Sequence, residues 1–141
     1  MFKTNRMNSN NDRVETSKSK TILVAEDNES NFLLVFTVLK KDYSIIRAHN
    51  GVEAIDKFKS ESPDIILMDI KMPEMDGLEA TRAIRKENQT IPIIAITAFA
   101  YDKDRQRALS AGCNDYLSKP ISADELKRRL REYLNGAGPA K

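Results

Sequence analysis

Five polar residues of this chain stand just past apolar runs: the Glu26-Asp27 pair, Asp69, Thr97 and Lys119. Three carboxylates, a hydroxyl and an ammonium gathered in one crevice would hold a divalent cation and a phosphoryl group. In a parallel α/β sheet the carboxyl ends of all strands share one edge, so residues far apart in sequence meet there. At an effective dielectric near 20, unit charges about 4 Å apart repel by roughly 4 kcal/mol, so clustered acids call for a cation. Oxygen-only ligation with positions left open for water or phosphate suits Mg²⁺, with Mn²⁺ as the alternative, better than zinc.

Each residue also has a plainer reading. Asp27 or Asn28 could simply cap a following helix. Asp69 could be a turn residue, Thr97 a strand-end threonine whose branched body fits there, and Lys119 a solvated loop lysine. Lys119 precedes Pro120, which holds it extended and makes the peptide between them a candidate cis bond. The order and spacing of the five residues, more than any one of them, favour a site.

The elements that must position them alternate between short apolar runs and segments of helical period. TILVA (21–25) is a buried strand, followed by a helix from Asn28 to Lys40 with Phe32, Val35, Phe36 and Leu39 on one face. YSIIRA (43–48) is a weaker strand closed by the turn pair Asn50-Gly51, and a helix follows on Val52, Ala54, Ile55 and Phe58, ending at Ser62-Pro63. DIILMD (64–69) reads as the central strand, and Gly77 to Lys86 as a helix with Leu78, Thr81 and Ile84 inward. IPIIAIT (91–97) carries Pro92 at its start, where the missing donor is tolerated. Asp102 to Ala111 is helical with Gly112 as its carboxyl cap, DYLS (115–118) is a short strand, and Ser122 caps a last helix to Leu134. Five such units, with strands apolar on both faces, predict a doubly wound α/β fold: a parallel sheet between helix layers.

With 141 residues, the chain suits one domain with a real core. It has no run of about 20 apolar residues and no secretory leader pattern, so neither membrane insertion nor export is expected. Cys113 is alone, which excludes an internal disulfide or a cysteine metal site and fits a reducing, cytoplasmic compartment. The net charge is +2, but residues 1–20 hold five basic side chains against two acidic ones, leaving −1 for the remainder. The basic balance therefore belongs to a tail rich in Asn, Ser, Thr and Lys, and does not argue for nucleic-acid binding. Residues 1–20 read as a disordered linker, 21–134 as the domain, and 135–141 as a flexible end.

The motifs ILVAEDN, LMDIKMPEMDG with Asp69, AITA with Thr97 and DYLSKP with Lys119 resemble the receiver domains of two-component response regulators, over roughly residues 20–134. That resemblance implies a flavodoxin-like five-stranded sheet of order 2-1-3-4-5, with Asp27 beside Asp69 at the switch point. It implies that Asp69 is the phosphoacceptor, taking the group from a phosphohistidine of a histidine kinase or a histidine phosphotransfer domain. Asp27, Asp69 and the backbone carbonyl of Lys71 would ligate Mg²⁺, with Glu26 acting mainly through water. Thr97, Ala98 and Lys119 would bind phosphoryl oxygens, and Tyr116 is either the aromatic that moves inward with Thr97 or an ordinary packed ring. Lys71 and Phe99 would flank the hydrolytic water and slow its attack, unless both point to solvent. Glu26 stands where many relatives have Asp.

Such a domain catalyses only its own phosphorylation and dephosphorylation. The AGCNDYLSKP wording and the basic linker suggest the receiver of a hybrid sensor histidine kinase, tethered in its parent to a membrane sensor; a stand-alone regulator is the alternative. An aspartate-nucleophile phosphatase fits less well, because the second acid of its Asp-x-Asp pair is here Lys71. EDNES lacks the glycines of a dinucleotide loop. His49, the lone histidine, reads as a solvated loop residue.

Overall fold

The computed structural model describes residues 20–98 and 101–135; the expected tails, apart from Lys20 and Asn135, lie outside the described residues. The elements run β1 (Thr21–Ala25), α1 (Glu29–Leu39), β2 (Ser44–Ala48), α2 (Gly51–Glu61), β3 (Ile65–Asp69), α3 (Gly77–Glu87), β4 (Ile93–Thr97), α4 (Asp102–Ala111), β5 (Asp115–Ser118) and α5 (Ala123–Leu134). All strands pair in parallel in the order β2-β1-β3-β4-β5, as expected.

The sheet divides the core in two because successive strand side chains face opposite ways. Leu23, Ile66, Met68 and Ile93 pack with Ala54, Leu78, Ile84 and Ala108 of α2, α3 and α4. Ile22, Val24, Leu67 and Ile94 pack on the other face with Val35, Leu39, Leu126 and Leu130 of α1 and α5. Fully burying a side chain of this size contributes about 1.5–3 kcal/mol. Every residue of β3 and β4 is buried, the pattern of strands covered on both faces.

Local signals set the helix starts. Asn28, Asn50 and Ser122 each accept a hydrogen bond from the backbone N–H three residues on, and Asp76 with Glu79 forms a reciprocal capping box. Gly112 ends α4 at φ 117°, in the left-handed region. Boundaries differ slightly from the sequence reading. β4 begins at Ile93, after Pro92, whose carbonyl accepts from the Ile66 N–H at 3.0 Å. β2 begins at Ser44, and Tyr43 instead packs against the α1–α5 side. On α1 only Val35 and Leu39 are buried; Phe32 and Phe36 stack on each other at the edge, with ring centroids 5.8 Å apart.

The carboxyl edge is drawn together by α3. The Gly77 N–H donates to the Ile70 carbonyl at 2.8 Å, and a Cβ at Gly77 would collide with the Asp69 carbonyl. Only glycine lets the start of α3 lie so close to the end of β3.

Candidate metal and phosphoryl site

Glu26, Asp27 and Asn28 form the turn between β1 and α1. The Glu26 N–H donates to the carbonyl of Ala48, the last residue of β2, at 2.9 Å, which extends the β1–β2 pairing one residue past β1. Asn28 accepts from the Asn31 N–H at 2.9 Å and so takes the capping role. Asp27 is thereby left exposed at the crevice, while the Glu26 side chain is buried. Glu26 and Asp69 are both only 3% exposed, and one oxygen from each of Glu26, Asp27 and Asp69 lies within 4.8 Å of the others. Three hard carboxylate donors at this separation fit a divalent cation of the Mg²⁺ type.

Lys119, from the turn after β5, reaches across the end of the sheet. Its Nζ lies 3.0 Å from Asp69 Oδ2 and 3.3 Å from a Glu26 oxygen. The other Asp69 oxygen accepts from the Lys71 N–H at 3.2 Å, and a Glu26 oxygen accepts from the Asn28 N–H at 3.1 Å. Burial, followed by the hydrogen bond and charge of Asp69, raises the Glu26 carboxyl from 4.5 to about 7, against the opposing pull of Asn28 and Lys119. Burial acts to depress the Lys119 ammonium, but Asp69 and then Glu26 outweigh it and hold the ammonium above its ordinary value. The Glu26 side chain is a buried member of the cluster, in direct contact with Lys119.

Thr97 ends β4 buried, opposite Ser118 of β5, and its carbonyl accepts from the Lys119 N–H at 2.8 Å. This bond fixes the lysine backbone beside the threonine, and the Lys119-Pro120 peptide is cis. Ala98 follows and is exposed. Tyr116 is half-buried against the α2–α4 face, with the Arg105 guanidinium 5.3 Å from its ring centre. Lys71 is exposed and lines the cavity beside the acids; Phe99 lies outside the described residues.

That cavity measures about 460 Å³ and runs from Asp27 and Thr97 past Lys71 and Asp76 to Asp104 and Arg107 of α4. The two α4 residues are absent from the sequence reading, because helical period says which residues face outward but not which neighbour they overlook. His49 is exposed as expected, yet it is tied down: its N–H and its ring Nδ1 contact Glu53 at 2.8 and 2.9 Å. Among the described residues, no helix is long and apolar enough to cross a membrane.

A family model described as the response regulator receiver domain matches residues 22–131. The polar-differentiation response regulator DivK of Brucella anthropi is 40% identical over 121 residues, covering 84% of this chain and 98% of the relative. The receiver domain of the sensor histidine kinase PA1611 from Pseudomonas aeruginosa, solved with a magnesium ion coordinated in its active-site cleft, superposes with a TM-score of 0.78 at 38% identity. That match covers 83% of this chain and 98% of the other. The receiver domain of Ssk1 from Saccharomyces cerevisiae, solved with the histidine phosphotransfer protein Ypd1, gives a TM-score of 0.78 at 30% identity, covering 84% and 91%.

Proposed function

The chain belongs to the response regulator receiver domain family, and from that premise we propose that Asp69 accepts a phosphoryl group from a phosphohistidine with Mg²⁺ bound in the acid cluster. The observation that carries this reading is the Lys119 ammonium set 3.0 Å from Asp69 Oδ2, with the other two acids beside it and the cavity in front. Asp69 Oδ2, once Lys119 turns away from it, attacks phosphorus, the phosphorus–nitrogen bond breaks, and the imidazole leaves and takes up a proton. Asp27, Asp69 and the Lys71 carbonyl would hold the cation, with Glu26 acting mainly through water. When bound, Mg²⁺ would supply positive charge to offset that of the phosphoryl oxygens. Lys119 turns from Asp69 toward a phosphoryl oxygen, and the Thr97 hydroxyl and Ala98 N–H donate to the others.

The partner is then a histidine kinase or phosphotransfer domain, in line with the Ypd1 complex formed by the Ssk1 receiver. The PA1611 likeness supports a hybrid-kinase origin, while the DivK likeness supports a stand-alone regulator. Two further roles complete the reading. Tyr116 follows Thr97 inward on phosphorylation, and Lys71 with Phe99 screens the acyl phosphate from water. Because neither side chain can act as a base, self-hydrolysis is slow, and a Lys71→Asn, Phe99→Glu variant loses phosphate faster than wild type.

The test is incubation with a small acyl phosphate and Mg²⁺, followed by intact mass. Wild type gains one phosphoryl group and Asp69→Asn gains none; equal labelling of the variant removes Asp69 as acceptor.

A further inference from the structure

β2 is an edge strand whose side chains alternate between the two cores. Ile45 packs with the α1–α5 cluster, and Ile46 and Ala48 with the other. By that period Arg47, paired with Val24 of β1, falls on the α1 side, where an apolar residue would be expected. Its side chain is only 14% exposed.

The guanidinium is spent on the acid turn. Nε and one terminal nitrogen both donate to the Glu26 carbonyl, at 3.2 and 3.0 Å, and that same nitrogen reaches the Asp27 carbonyl at 3.4 Å. The other terminal nitrogen donates to Glu29 at 2.6 Å, and the guanidinium carbon lies 4.5 Å from the centre of the Phe32 ring. With the Glu26 N–H held by Ala48, both backbone polar groups of Glu26 are bonded to β2. The contacts run to the carbonyls of Glu26 and Asp27 and not to their carboxylates, so Arg47 fixes the turn while leaving both carboxylates to the acid cluster.

We propose that Arg47 is the positioning residue of the acid turn, setting Glu26 and Asp27 at the separation a divalent cation requires. The proposal rests on reading the acid cluster as a Mg²⁺ site. A lysine cannot replace it, since one ammonium nitrogen on a flexible stem has neither the planar fork nor the flat face that stacks on Phe32. Groups that orient metal ligands from behind characteristically cost 10–100-fold in metal affinity when removed. A residue that merely ties the edge strand to α1 would change stability and leave affinity alone.

The experiment is calorimetric titration of the full chain with MgCl₂, comparing wild type with Arg47→Met, Arg47→Lys and Glu29→Gln, each checked for native circular dichroism. Arg47→Met is expected to bind Mg²⁺ about 10–100-fold more weakly, and Arg47→Lys to recover only part of that loss. Glu29→Gln, which keeps the carbonyl bonds, is expected to stay within about twofold of wild type. At saturating Mg²⁺, phosphorylation of Arg47→Met by acetyl phosphate should return toward the wild-type rate, because the defect lies in holding the cation. A folded Arg47→Met with wild-type affinity overturns the proposal. Should that variant fail to fold, Arg47→Lys decides: wild-type affinity refutes positioning by the fork, and weakened affinity upholds it. Absence of Mg²⁺ binding by wild type is a separate result, which overturns the cation reading and this proposal with it.

Discussion

Lys119 and Asp69, fifty residues apart, are joined by a 3.0 Å contact between ammonium and carboxylate, and the same ammonium lies 3.3 Å from Glu26. The acid cluster therefore carries its own counter-ion. That contact sets the electrostatics of the site before any cation or phosphoryl group arrives.

Replacing the lysine exposes its share. Lys119→Met should lose about 1–2 kcal/mol at pH 8 in chelator, less than a fully buried pair because the lysine is partly exposed. Millimolar Mg²⁺ should restore much of that stability. Denaturant unfolding with and without Mg²⁺ checks this, and an unchanged midpoint in chelator would show that the ammonium is not what holds the acids together.

Glu26 gives the site a pH dependence of definite sign. Its carboxyl is raised from 4.5 to about 7 in the folded protein, so the fold holds this proton more tightly than the unfolded chain does. The resulting stability is present below 4.5 and is lost as pH rises to about 7. Melts in chelator should fall between pH 5 and pH 7.5, and the difference between wild type and Glu26→Gln should change by roughly 1 kcal/mol or more, about 4 °C. Parallel pH profiles for the two proteins would rule this out. Because the cation competes with that proton, Mg²⁺ affinity should rise over the same interval.

Divalent metal should stabilise the fold by mass action, about 2.7 kcal/mol at hundredfold excess over the dissociation constant and several degrees in melting midpoint. Asp27 is exposed, so Asp27→Asn should fold as well as wild type and yet lose the Mg²⁺ shift. The reading fails if melting is the same in Mg²⁺ and in chelator for wild type.

Gly77→Ala should cost about 1–3 kcal/mol through the clash with the Asp69 carbonyl and the Met68 side chain. It should also slow phosphorylation by shifting the end of β3. A variant as stable and as reactive as wild type would mean that the α3 start yields without moving the acceptor.

Phosphorylation should loosen or reorder α4 and β5. Tyr116 lies half-buried beneath Arg105, so moving its ring inward must break that stacking and shift the α4 surface. Amide exchange with and without a beryllofluoride mimic should differ over Asp102–Ala111 and Asp115–Ser118; identical protection would identify a static domain.

Much of this site was legible because a parallel sheet reduces a three-dimensional question to one of strand ends. Once TILVA, DIILMD, IPIIAIT and DYLS are read as strands, the polar residues that follow them share an edge. What stayed hidden depends on side-chain reach. Arg47 looks like one arginine in a weak edge strand, and only the fold shows its guanidinium folded back onto the preceding turn. Asp104 and Arg107 line the cavity because α4 buries Ala108 and Ala111 against the sheet, and the neighbour its remaining faces overlook is not encoded in periodicity. The burial of Glu26 was hidden as well, since a polar residue one position past a strand can turn either way.

The chain order of the site has a consequence for synthesis. Glu26 and Asp69 leave the ribosome well before Lys119, whose strand β5 docks at the far edge of the sheet. A nascent or truncated chain ending before residue 119 carries the acids without their cation and lacks the backbone bond from Lys119 to Thr97. The cluster of two buried acids and their ammonium is thus completed only after residue 119 has been added and β5 has docked.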